Sequence, residues 1–148
     1  MKIIFLGTTG VHHALIAAYL YIGNKLESNF QKYPGFADLD KEASGYPIFL
    51  GSDKSENMVY ALGCETDISL VKKAIEQLTV IMGSQSDEIK VVPISIPDER
   101  ILLTLTRIAS ITNAGNWHFW ASGFIIKRYL SKIAARVKEI QNELTGQN

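Results

Sequence analysis

The run Gly7-Thr8-Thr9-Gly10-Val11-His12-His13 holds the densest set of side chains in this sequence that could do chemistry at close range. A glycine-bearing turn from a buried strand into a helix leaves backbone N–H groups facing outward at the positive end of the helix. That geometry suits a phosphate or a carboxylate. The turn lacks G-x-x-x-x-G-K-[ST], because Gly7 is followed by Gly10 and then His12, with no lysine to reach a terminal phosphate. It lacks G-x-G-x-x-G as well, so neither a P-loop triphosphatase nor a dinucleotide enzyme is supported. The expected ligand contacts are Gly7, Thr8, Thr9, Gly10, His12 and His13, and the expected ligand is an anionic small molecule.

Adjacent residues on a helix stand about 100° apart, so at most one of His12 and His13 faces a site over the turn. A helix N-terminus disfavours imidazolium and keeps such a ring neutral, able to act as base or hydrogen-bond donor, whereas a bound anion pushes the other way. His12 is the acid/base candidate, and Asp53, in a polar loop further on, is the carboxylate that would orient it. The plain alternatives are a tight turn that binds nothing, a capping or solvated histidine, and a turn aspartate held for its backbone hydrogen bonds. Cys64, His118 and a carboxylate would make a metal site only through long-range folding, so no metal is expected. Asp38 and Asp40 read as a solvated loop pair before they read as a cation site. Lys127, Arg128, Lys132 and Arg136 read as a solvated helix face, with Lys127 and Arg128 able to reach an anion if their helix begins beside the turn.

These residues need a frame. Ile3 to Leu6 is continuously apolar, the pattern of a central strand covered on both faces. A small-residue helix follows from about Val11 to Tyr21, stopped by Gly23. A short helix is expected near Asp38 to Ala43 inside a region that is otherwise loop. Ile48 to Gly51 and Met58 to Leu62 form a β-hairpin around the polar stretch Ser52 to Asn57. Thr66 or Asp67 caps a helix with Ile68, Val71, Ile75, Leu78 and Met82 on one face, ended by Gly83. Ile89 to Ile96 is a strand that Pro93 confines to an edge or a bulge. Pro97 and Asp98 open a helix with Ile101, Leu105 and Ile108 on its inner face. After a polar break at Thr112 to Asn116, the aromatic cluster Trp117, His118, Phe119 and Trp120 is expected to cap the core, or else to form a partner patch. In the last helix Ile126, Leu130, Ile133, Val137, Ile140 and Leu144 recur at a/d spacing, read first as packing onto the chain's own domain and second as a homodimer seam.

The fold class expected is α/β: one domain over residues 1–148, a single small sheet with a parallel β-α-β core, a β-hairpin, packed helices and a long C-terminal helix. Fifteen basic and fifteen acidic side chains cancel, so no overall field steers the chain to nucleic acid or to a membrane surface. The single cysteine forms no internal disulfide and suits a reducing cytoplasm. The short apolar start reads as neither a secretion signal nor a membrane span.

The segment Ile3 to Gly23 resembles the opening of the bacterial family known as domain of unknown function 3189, which begins with a strand, a glycine-glycine-x-histidine turn and an alanine-rich helix. Gly10 and His12 match the second glycine and the histidine of that turn, and Ala17, Ala18 and Gly23 match the helix and its stop. Gly45, Ile48, Phe49, Gly51, Asp53, Asn57, Val59, Tyr60 and Gly63 resemble the family's hairpin, and Ser122 to Arg128 its C-terminal segment. This chain has Leu6 and Gly7 where the family often has histidine and cysteine, Thr9 for the first turn glycine and His13 at a serine position. The resemblance therefore offers no nucleophilic cysteine in the turn; it singles out His12 and names no reaction or cofactor. Two functions remain: a binder or enzyme for a phosphate- or carboxylate-bearing small molecule at turn 7–13, and a non-enzymatic interaction or homodimer module built on residues 117–120 and the last helix.

Overall fold

A computed structural model describes residues 1–83, 88–113 and 115–146. Strand β1 (Lys2–Gly7) is the centre of the sheet, and Ile3, Phe5 and Leu6 within it are fully buried. The other strands are β2 (Ile48–Ser52), β3 (Met58–Gly63) and β4 (Ile89–Pro93). Their order is β2-β3-β1-β4, with β3 and β4 both parallel to β1 and β2 antiparallel to β3. The α/β class, the parallel core and the hairpin thus follow the apolar patterning. Gly51, at φ 143°, sits where the β2–β3 register shifts, a conformation a bulge takes readily only with glycine. Strand β4 holds the other edge, where the missing N–H of Pro93 costs no ladder bond. It ends at Pro93 rather than Ile96: Ile94 N–H still donates to the Leu6 carbonyl at 2.8 Å, and the chain then leaves for Pro97.

Helix α1 (His13–Tyr21) is buried at all nine of its residues. A helix apolar all round must be covered all round, and α1 lies between the sheet and the long helix α5 (Gly115–Thr145). It starts two residues later than Val11 because His12 takes the non-helical φ −119°, ψ −110°. Ile126, Leu130, Ile133, Val137 and Ile140 of α5 are buried, so the a/d seam is spent on the chain's own core.

Helix α2 (Leu39–Ser44) is capped by Asp38, whose carboxylate accepts from the Asp40 and Lys41 N–H groups. Helix α3 (Ile68–Ile81), capped in the same way by Asp67, packs on β4 and β1, yet Thr79 alone is buried in it, and Leu78 and Met82 of the expected inner face are exposed. Helix α4 (Glu99–Thr112) buries Leu102, Thr106 and Ala109, one position around from the expected stripe, of which Ile101 and Ile108 are exposed. The polar Thr106 hides that stripe from a hydrophobicity reading.

The break between α4 and α5 is short, with Asn113 left-handed at φ 53°. Helix α5 takes in the aromatic cluster, and consecutive residues on one helix cannot share a face. His118 is therefore buried, Phe119 is half-buried, and Trp117 and Trp120 are 39% and 69% exposed, which corrects the expectation that the cluster caps the core.

Candidate functional site

The turn after β1 is held by the segment that follows β3. The Gly7 carbonyl accepts from Cys64 N–H and the Thr8 carbonyl from Glu65 N–H, both at 3.0 Å. Gly10 and Gly63 meet backbone to backbone: a Cβ on Gly10 would lie 2.7 Å from the Gly63 nitrogen, so both positions require glycine. Two of the outward N–H groups of the turn, those of Gly10 and Val11, donate to Glu42 Oε2 at 2.8 and 3.1 Å. The anion expected on the turn is thus supplied by the chain itself. Burial pushes the Glu42 carboxyl up to about 7; the two amides work against that shift and the nearby Glu65 adds to it.

Both histidines of the turn are fully buried, on different sides. His12 Nδ1 lies 2.9 Å from Thr9 Oγ1, and its ring is 5.1 Å from His118 and 5.6 Å from Phe36. His118 Nε2 is in turn 3.2 Å from Thr106 Oγ1, which donates to the Leu102 carbonyl at 2.7 Å. Burial first, and then His118 and His13, hold His12 well below the usual imidazole range, and burial lowers His118. His12 is thereby a neutral histidine of the α1–α5 core.

His13 points to the start of α4. Its Nε2 stands 4.0 Å from Glu99 Oε2, too far for a hydrogen bond, and that oxygen accepts from Ser95 Oγ at 3.0 Å. Burial lowers His13 to about 4. Gly7 lacks a Cβ where the His13 ring lies, so the ring is packed directly against the end of β1.

Asp53 does not join His12. It receives Tyr21 O–H at 3.2 Å and the Ser55 and Asn57 N–H groups at 2.8 and 2.9 Å. Tyr21 closes α1 whereas His12 precedes it, and nine residues of helix separate the two by about 13 Å. Asp53 is a loop aspartate that ties the hairpin to the far end of α1. Cys64 is half-buried, with Sγ 3.8 Å from the Thr66 carbonyl, and burial raises its thiol. Among the described residues no three metal-ligating side chains gather. Lys132 sits over the Tyr129 ring, and Arg136 pairs with Glu139 and Glu143 along α5.

Beside the turn, above the C-terminal ends of the parallel strands, a polar cleft of about 720 Å³ opens. Thr8, Glu65, Ser69, Pro93, Ser95, Glu99, Arg100 and Arg107 are among its walls. Strand β1 feeds β3 on one side while β4 lies on the other, so the cleft adjoins a topological switch point, where ligands of open α/β sheets bind. Thr8 Oγ1 is buried in its wall without a hydrogen-bond partner among the described residues. Arg107 lies 3.2 Å from Glu65 across the rim, both largely exposed. Sequence reading placed Thr8 here and missed Ser95, Glu99, Arg100 and Arg107, which only the return of β4 beside β1 brings to the turn.

The chain belongs to the family described as "Protein of unknown function (DUF3189)", whose family model matches residues 2–142. No curated protein and no solved structure matches it. No helix among the described residues is long and apolar enough to cross a membrane.

Proposed function

For this member of the family we propose that the chain binds a small, polar, anion-bearing molecule in the cleft between the β1 turn and α4, in the cytoplasm of a bacterium. One observation carries this reading: the buried, unpartnered hydroxyl of Thr8 on the wall of a polar cleft at the switch point. A buried polar atom left without a partner is costly, and a ligand hydroxyl or phosphate oxygen would satisfy it. Arg100 and Arg107 supply the positive charge, and Ser95, Ser69 and Glu99 supply polar contacts for the rest of the molecule. Arg107 suits a phosphate or carboxylate because its planar fork donates two hydrogen bonds at once. His12, in the core, orients Thr9 and the turn from behind. Glu99, on the cleft wall, is the group that would exchange a proton with the ligand, which keeps acid/base chemistry within this reading. The free thiol of Cys64 suits a reducing compartment.

The test is thermal unfolding with and without phosphate or sulfate. A ligand at about ten times its Kd adds about 1.4 kcal/mol of stability, so Tm rises by several degrees in the wild type and not in Arg107→Ala or Thr8→Val. Equal behaviour of all three proteins overturns the reading.

A second reading is favoured by the outer face of α5, where Trp120 and Phe124 are 69% and 65% exposed beside an apolar groove of about 510 Å³. In that reading the protein is an interaction module whose partner covers those rings. Because the a/d seam is buried, a homodimer would use this outer face. Sedimentation that shows a dimer lost in Trp120→Ala supports it, and a strict monomer counts against the homodimer.

A further inference from the structure

The Glu42 carboxylate has no cationic partner among the described residues, and its hydrogen bonds come from the Gly10 and Val11 N–H groups. A half-buried carboxylate held only by backbone amides stands where a ligand anion would stand. The helix that carries it, α2, has no buried residue and beyond the turn touches α4. It lies between two left-handed bends, Ala37 at φ 56° and Gly45 at φ 68°. The first bend is pinned to the turn, since Ala37 N–H donates to the Val11 carbonyl at 3.0 Å, so α2 has a fixed pivot beside its own anchor. Glu65 lies on the wall of the polar cleft and also next to Glu42, which makes the amide cradle and the cleft neighbours. Thr8, with its buried and unpartnered hydroxyl, belongs to the same turn and is one of the residues that line that cleft.

We propose that Glu42 is a displaceable internal occupant of an anion subsite: the carboxylate or phosphate group of a bound small molecule takes the Gly10 and Val11 N–H groups, and α2 lifts from the turn as Glu42 leaves. The inference rests on the reading that an anionic molecule binds at this end of the sheet, and it assigns the regulation of that site. No covalent step is involved. The apparent affinity for the anion is set by the fraction of molecules in which Glu42 is off the amides, so removing the occupant strengthens binding.

The experiment is a titration of inorganic phosphate, and separately of acetate, into isotopically labelled wild type, Glu42→Ala, Glu42→Gln and Arg107→Ala, read from the Gly10 and Val11 amide resonances. Glu42→Ala is expected to bind at least one of the anions about tenfold more tightly than wild type, with both amides shifting at saturation. Acetate alone acting marks a carboxylate subsite and phosphate alone a phosphate subsite, either in support. Glu42→Gln removes the charge yet keeps a carbonyl oxygen for the two amides, and it tightens binding too, so the inference stays testable if Glu42→Ala does not fold. Equal affinity in wild type and both Glu42 variants, or amides that move with neither anion, overturns it. The two readings fail separately: tighter binding in Glu42→Ala that Arg107→Ala does not weaken keeps the subsite and removes the cleft, and the reverse pattern keeps the cleft and removes the subsite.

Discussion

Glu42 Oε2 accepts the Gly10 N–H at 2.8 Å across 32 residues of chain, so the turn that opens α1 is closed by a side chain from a different helix. The contact exists because Gly10 and Gly63 let the end of β3 come against the turn with no side chain between them. Gly63→Ala would drive a methyl into both Glu42 and the Gly10 nitrogen. Overpacking of this kind costs about 1–3 kcal/mol, and urea unfolding is expected to show a loss in that range. Wild-type stability in Gly63→Ala would mean that the two glycines do not approach so closely.

Glu42 and the turn histidines give stability opposite dependences on pH. The Glu42 carboxyl is raised from 4.5 to about 7 in the fold, so its contribution is complete below 4.5 and is lost as pH rises through 7. At 1.36 kcal/mol per unit this amounts to about 3 kcal/mol at most. His13 is lowered from 6.5 to about 4, so its contribution is complete above 6.5 and is lost as pH falls towards 4. His12, also lowered, has the same sign. The two windows overlap, so between pH 4.5 and 6.5 the histidine gain and the Glu42 loss oppose each other in the wild type, and urea unfolding of Glu42→Gln at successive pH values is expected to show a steeper rise in stability across that window than the wild type shows. A pH profile of wild-type shape in Glu42→Gln would show that Glu42 does not titrate in that window.

Thr106 links α4 to α5 through His118. Thr106→Val keeps the shape and leaves His118 Nε2 buried without that partner, a cost of about 1–3 kcal/mol. Thr106→Ser keeps the hydroxyl and is expected to recover most of the loss in a denaturant titration. If valine and serine behave alike, the hydrogen bond carries no stability.

Trp120 and Ile133 lie on the same helix with opposite surroundings, 69% and 2% exposed. Trp120→Ala is expected to change stability by less than about 0.5 kcal/mol, as surface substitutions do. Ile133→Ala is expected to cost about 2–5 kcal/mol, as deletion of a buried side chain does. Chemical denaturation of the two variants compares them directly; a larger loss at Trp120 would place that ring in the core.

The fold was readable where local pattern and tertiary role coincide. The unbroken run Ile3 to Leu6 marks a central strand, Pro93 marks an edge, and the a/d spacing from Ile126 marks the inner side of α5. It was less readable where a polar side chain lies inside: Thr106 and His118 bury one another, which moves the buried stripe of α4 away from Ile101 and Ile108. The candidate site was half visible. Its turn is a local motif, and the resemblance that singled out His12 fits a residue packed at the heart of the fold. Glu42, Glu99 and Arg107 reach the turn through the order of the strands and the path of the loops, and nothing within a few residues of any of them signals that they do. Asp53 failed as a partner for His12 because helix α1 keeps the hairpin loop and the turn at its two ends.

The most direct measurement is a map of amide resonances during titration of phosphate into the wild-type protein, repeated with Arg107→Ala. The cleft reading predicts saturable shifts at Thr8, Ser95, Glu99 and Arg107, weakened about tenfold or more in Arg107→Ala, a loss of about 1.4 kcal/mol or more, with residues around Trp120 unmoved. Shifts absent from those four residues, or equal in the two proteins, would contradict it.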